Sequence, residues 1–147
     1  MDRLGVAIWG TGRAGTELVK VGLTRPWVEL KAGIAFTDSK AGRDLGELSG
    51  ETSLGIPVTV DAGEVLARDD IDAIFYAGLG SNDEVAENCG RALAAGKDVV
   101  TVTNIYHPAS ALSPERVAWF REQAVKGSSR FVSTGLFPGF LMDQFPT

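Results

Sequence analysis

One cysteine and one histidine occur in 147 residues. No intramolecular disulfide can form, therefore, and the two cannot build a Cys/His metal cluster. Basic runs are missing as well. The 14 Lys and Arg stand against 19 Asp and Glu, a net charge of −5, which argues against nucleic acid or an anionic membrane surface as partner, because both need a basic footprint. No apolar stretch approaches the roughly 18 residues of a membrane-spanning helix, and the first residues show neither the basic nor the apolar region of a secretory signal. These absences imply a metal-free protein of a reducing cytoplasm, in which any anionic ligand needs a local site to overcome the global charge. Three catalytic patterns are also lacking: a G-x-S-x-G elbow, a Walker lysine after the glycines, and a Tyr-x-x-x-Lys pair at Tyr76 or Tyr106.

What is present is an ordinary globular composition, 44% hydrophobic and 22% charged, large enough to bury a core in one domain. Residues 4–9 form a near-continuous apolar run, as in a strand buried on both faces of a parallel sheet. A helix follows from Ala14, with Ala14, Leu18, Val21 and Gly22 at helical spacing and Pro26 beyond its end. Further strands are predicted at 28–36, 56–60, 71–76, 99–102 and 130–133. Helices are predicted at 62–68 behind Asp61, at 83–95 behind Ser81 or Asn82 with Gly96 as terminator, and from Ser113-Pro114 to Gly127. Residues 44–55 read as loop with at most a helical turn. Strands alternating with crossover helices predict a doubly wound, mainly parallel α/β sheet, a single Rossmann domain.

The strongest local signal is Gly10-Thr11-Gly12-Arg13-Ala14-Gly15, a G-x-G-x-x-G turn directly between the first strand and the first helix. That placement is the context a dinucleotide turn requires. Gly10 permits the tight turn, Gly12 lets backbone approach a pyrophosphate, and Gly15 lets helix pack on strand, with Arg13 in reach of the pyrophosphate or the adenine face. After the second strand, Thr37, Ser39, Lys40 and Arg43 surround a lone acid, Asp38. Hydroxyls and cations outnumber the carboxylate, which favours the 2′-phosphate of NADP, with NAD as the alternative. Gly78, Leu79 and Gly80 close one strand, and Thr103 and Asn104 follow another, at the side where doubly wound sheets bind ligands; they are expected to line the nicotinamide half. Tyr106 and His107 are substrate-facing candidates, His107 because its ordinary pKa suits proton transfer; a lone histidine before proline is more often a loop residue making a backbone hydrogen bond.

The glycine turn, the 41–50 loop (A-G-R-D-L-G-E-L-S-G) and the 96–101 segment (G-K-D-V-V-T) together resemble the N-terminal domain of dihydrodipicolinate reductases. The resemblance extends to the branch holding 2,4-diaminopentanoate dehydrogenase and NAD(P)H-dependent amine dehydrogenases, whose T-G-x-x-P-G-F segment is matched at 134–140. It implies that Gly10 to Gly15 hold the pyrophosphate, Thr37 to Lys40 the adenosine ribose or its phosphate, and Gly78 to Gly80 with Thr103 the nicotinamide side. Two features depart from those relatives. The turn is one residue shorter than the reductases' G-x-x-G-R-x-G, and 104–107 lack the glutamate of the amine dehydrogenases.

The resemblance also implies a substrate domain after the dinucleotide-binding domain, for which residues 1–147 leave no room. A fragment that binds cofactor without turnover is expected, serving hydride transfer to a C=N or C=O substrate. The alternative is a stand-alone nucleotide sensor or interaction module, with the apolar tail at 134–147 as a surface for homo-oligomerisation.

Overall fold

The computed structural model describes residues 3–103, 105 and 107–134. The chain divides into two compact units, with the boundary between Gly78 and Leu79. The first contains β1 (Leu4–Trp9), α1 (Arg13–Leu23), β2 (Val28–Ile34), α2 (Leu45–Leu48), β3 (Val58–Thr59), α3 (Ala62–Leu66) and β4 (Ala73–Tyr76). Its strands pair in parallel in the order β3-β2-β1-β4. This is the βαβ arrangement expected of a doubly wound sheet. The apolar run of β1 has its explanation in that order: flanked on both sides, Val6, Ala7 and Ile8 are completely buried. Val6 and Ile8 pack with Val19, Val28, Leu45, Val58 and Ala73 into one core.

The register fixes where the strands stop. Trp9 lies opposite Ile34 on one side and Tyr76 on the other. The ladder runs one step further on both sides, because Gly10 N–H donates to the Ile34 carbonyl at 2.8 Å and Ala77 N–H to the Trp9 carbonyl at 2.8 Å. The carboxyl ends of the three strands are therefore level.

Several sequence expectations shift. The buried face of α1 is Gly15, Val19 and Gly22, whereas Ala14 and Val21 are exposed. Gly15 comes against the Gly10 carbonyl and Ile8, Gly22 against Leu30 and Val28 of β2, and Val19 fills the core between them. β2 ends at Ile34 rather than Phe36, although Ala35 N–H still bonds the Thr59 carbonyl. β3 is only two residues long. The 44–55 stretch does carry a helical turn, α2, and it is organised by one carboxylate. Asp44 caps α2 through the N–H groups of Gly46 and Glu47, and its two oxygens also accept from Leu54 N–H and Ile56 N–H, both at 2.9 Å. Four backbone donors hold its carboxyl down at about 2.

The second unit contains α4 (Asn82–Ala94), β5 (Asp98–Thr101), α5 (Pro108–Ala111), α6 (Pro114–Gly127) and β6 (Phe131–Ser133), with β5 and β6 parallel. Ser81 caps α4 in a full capping box with Glu84, and Gly96 takes the left-handed conformation beyond it, φ +79°. Ser113 caps α6 through Arg116 N–H. α6 ends at Gly127, as expected, and Ser128 beyond it adopts the left-handed cap, φ 51°. A Cβ at Gly127 would run into the Leu93 carbonyl oxygen, so this glycine is spent on the approach of α6 to α4. Gly90 does the same on the facing helix, its bare Cα receiving the Trp119 ring.

Candidate dinucleotide-binding site

The turn between β1 and α1 is shaped by what its glycines exclude and admit. Gly10 has φ +111°, and a side chain there would also strike Ala77 backbone at 2.7 Å. A Cβ at Gly15 would collide with the Gly10 carbonyl oxygen. At Gly12 the situation is reversed: a Cβ would meet nothing within 4 Å. Gly12 is the N-cap of α1 and supplies no side-chain cap, and no acidic residue occupies the first turn. The first backbone N–H groups of an α-helix lack intrahelical partners and carry the positive end of its dipole. An open space above Gly12, bounded by uncapped donors, is suited to an anionic oxygen cluster such as a pyrophosphate. Arg13 and Ala14 are exposed at the same helix start, and Thr11 is buried.

The loop after β2 is joined to this turn. Residues Asp38–Lys40 form a single 3₁₀ turn, and the Lys40 Nζ donates to the Thr11 carbonyl at 2.7 Å. Thr37 and Ser39 are exposed, with their hydroxyls 3.3 Å apart. Arg43 is exposed, as is Asp38. Of the expected cluster, the structure thus brings Lys40 into contact with the glycine turn. Sequence reasoning placed Lys40 at the ribose and did not find this bond, which depends on a fold-back across 29 residues.

Gly78 closes the first unit. A Cβ on it would meet the Tyr76 hydroxyl at 2.5 Å and the Phe36 ring at 2.6 Å, so its backbone is pressed against two aromatic rings. Tyr76 is buried and stands edge-on to Trp9, centroids 5.4 Å apart; Phe36 stands edge-on to Tyr76 at 6.3 Å. Phe36 had no role in the sequence reading, because its place against Tyr76 and Gly78 depends on strands far apart in the chain.

In the second unit, Leu79 is 97% exposed and Gly80 has φ +153°. Thr103 bonds the fully buried Thr101, with their hydroxyls 2.8 Å apart, and Thr103 N–H donates to the Thr101 Oγ1 at 3.1 Å. His107 is the N-cap of α5, a four-residue helix absent from the elements expected from the sequence. Its carbonyl accepts from Ser110 and Ala111 N–H, and its side chain is exposed. Asn104, Tyr106 and the segment from 135 onward lie outside the described residues. Cys89 is buried within α4, and burial pushes its thiol up to about 12, which keeps it protonated and unreactive at neutral pH. Among the described residues there is no group of three or more His, Cys, Asp or Glu that could hold a metal ion, and no helix is long and apolar enough to cross a membrane.

Comparison with known proteins gives this geometry a lineage. Residues 4–108 match the family described as dihydrodipicolinate reductase, N-terminus. The 4-hydroxy-tetrahydrodipicolinate reductase of Halorhodospira halophila is 37% identical over 98 residues, 63% of this chain and 36% of that protein. The chain thus spans about a third of the length of that relative. Among solved structures, the amine dehydrogenase from Mycobacterium smegmatis is similar with a TM-score of 0.77 at 26% identity, over 90% of this chain and 39% of that one. KijD10, a 3-ketoreductase from Actinomadura kijaniata in complex with NADP, is similar in fold with a TM-score of 0.72 at 19% identity, over 97% of this chain and 42% of that one. The strand order, the glycine turn and the long family match converge, and the chain belongs to the dihydrodipicolinate reductase N-terminal family.

Proposed function

We propose that this chain binds a nicotinamide dinucleotide, NADP with NAD as the alternative, as the cofactor-binding part of an oxidoreductase acting on a C=N or C=O substrate. The observation that carries the reading is the contrast among the three glycines. Gly10 and Gly15 have no room for a Cβ, whereas Gly12 faces open space at an uncapped helix start. The backbone there offers donors for a pyrophosphate, with Thr11, Arg13 and Ala14 at its edge. Thr37, Ser39 and Lys40 follow β2 and suit the ribose and its 2′-substituent. The bound dinucleotide would supply the hydride; the protein's part is to hold, orient and shield it. The nicotinamide-side roles of Gly78, Leu79, Gly80, Thr103 and Asn104, and the substrate-side roles of Tyr106 and His107, rest on the family resemblance. Because the chain spans 36% of the matched reductase, substrate handling is proposed to fall to the rest of a longer protein.

The test is a titration of NADPH and NADH followed by intrinsic fluorescence or calorimetry. Binding in the micromolar range or weaker is expected, and no response to either at millimolar concentration overturns the reading. Gly12→Val should abolish binding while leaving Tm within a few degrees, since Gly12 has an ordinary φ of −82° and free space around it. Unchanged affinity in that variant places the site elsewhere.

A further inference from the structure

We propose that Phe36 is the platform on which the purine ring of the dinucleotide packs, so that this site recognises its ligand at the adenosine end chiefly by stacking. The inference rests on the reading that a dinucleotide binds at the glycine turn. Phe36 is 51% exposed, yet it is not loose on the surface. Its ring stands edge-on to Tyr76, interplanar angle 86°, and against the Gly78 backbone, so its orientation is fixed by a buried neighbour. The parallel register places it. Trp9, Ile34 and Tyr76 lie in one row, Phe36 and Gly78 each follow two residues after it, and the Phe36 ring reaches the Gly78 backbone. The ring therefore sits at the carboxyl edge of the sheet, where open α/β sheets bind ligands.

Chemistry at the neighbouring position agrees. Dinucleotide sites that read the 2′-hydroxyl place a carboxylate about 20 residues past the glycines, at the end of the second strand. Counting from Gly15, that position is Ala35, which is buried, and the next is Phe36. Asp38 lies in the 3₁₀ turn instead. Where a charged ribose ligand would stand, this chain holds an apolar ring with a clamped orientation. An aromatic face attracts any base through its π surface and senses nothing at the ribose 2′ position.

The experiment compares ADP-ribose, NADPH, NADH and nicotinamide mononucleotide against the full chain and its Phe36 variants. Phe36→Ala should weaken ADP-ribose, NADPH and NADH by one common factor, about 5- to 100-fold from the usual strength of base stacking. Phe36→Tyr should restore affinity, and nicotinamide mononucleotide should be unaffected. Phe36→Leu keeps apolar volume without a π face; it guards against a folding defect in the alanine variant and should still lose affinity. In the wild-type complex, NMR should show contacts between adenine protons and the Phe36 ring. If the wild type binds NADPH or NADH and Phe36→Leu binds equally well, the platform is refuted while dinucleotide binding stands. A loss confined to NADPH refutes it too, because the ring would then act through the 2′-phosphate. If the wild type binds neither dinucleotide, the underlying reading fails and the platform with it.

Discussion

Two turns of the first unit solve the same problem in opposite ways. At the start of α1 the backbone donors meet a glycine, Gly12, and no side chain caps them. At the start of α2 a single carboxylate, Asp44, takes the N–H groups of Gly46, Glu47, Leu54 and Ile56 and ties residues 44–56 into a closed loop. α1 follows β1 directly, whereas α2 comes after the 3₁₀ turn of Asp38–Lys40. One leaves its first donors without a side-chain cap, and the other uses them within the chain. On the proposed reading, an uncapped helix start next to backbone that excludes side chains marks the binding turn better than glycine content does. The 44–56 stretch also holds glycines, at positions 46, 50 and 55.

The largest effect is expected where the binding turn is also structural. Gly15→Val drives a side chain into the Gly10 carbonyl and should cost about 3 kcal/mol or more of stability by overpacking, read as a drop in the urea midpoint together with lost cofactor binding. A Gly15→Val protein as stable as wild type would erase the distinction between Gly15 and Gly12. Next is Asp44→Asn. Its amide can serve only some of the four donors, so Tm should fall by several degrees at pH 7 while NADPH affinity per folded molecule is kept. The native Asp44 carboxyl lies at about 2, below its ordinary 3.8. Its contribution is therefore complete above about pH 4 and is lost as pH falls from 4 toward 2. Wild-type stability should decline across that window, and Asp44→Asn should decline less; parallel curves would deny Asp44 its role. The smallest effect is at Arg43, whose side chain is exposed. Arg43→Ala should change NADPH affinity less than Lys40→Ala does, and the reverse order would move the cationic contact out to the loop.

The elements that could be read from the sequence were those whose cause is local. β1 announced itself by an unbroken apolar run because it is flanked by two strands. Ser81, Asp61 and Ser113 were legible as caps because donor and acceptor are three residues apart, and each accepts the expected N–H. What escaped depends on partners far along the chain. Asp44 is chosen by donors at 54 and 56 that no short window contains. Gly127 ends α6 as read, but its close approach to the backbone of α4 was not visible, nor that Ser128 takes the left-handed turn beyond it. The buried face of α1 was only partly read: Gly22 lies on it as expected, but Gly15 and Val19 replace Ala14 and Val21, because the close approach of backbone at Gly15 sets the rotation of the helix. In the candidate site the glycine turn was fully legible. Phe36 and the partner of Lys40 were not, since both roles arise only when strand ends become level.

The bond from Lys40 to Thr11 commits one of the three donors of the ammonium to the glycine turn. The other two, and the charge, stay open to a ligand, and a phosphate arriving there would meet a cation whose side-chain freedom is already partly spent. Either dinucleotide, NADP or NAD, would approach a loop that is braced before it binds. Whichever is bound, the loop and the glycine turn are linked through one side chain, and tightening either one alters the other.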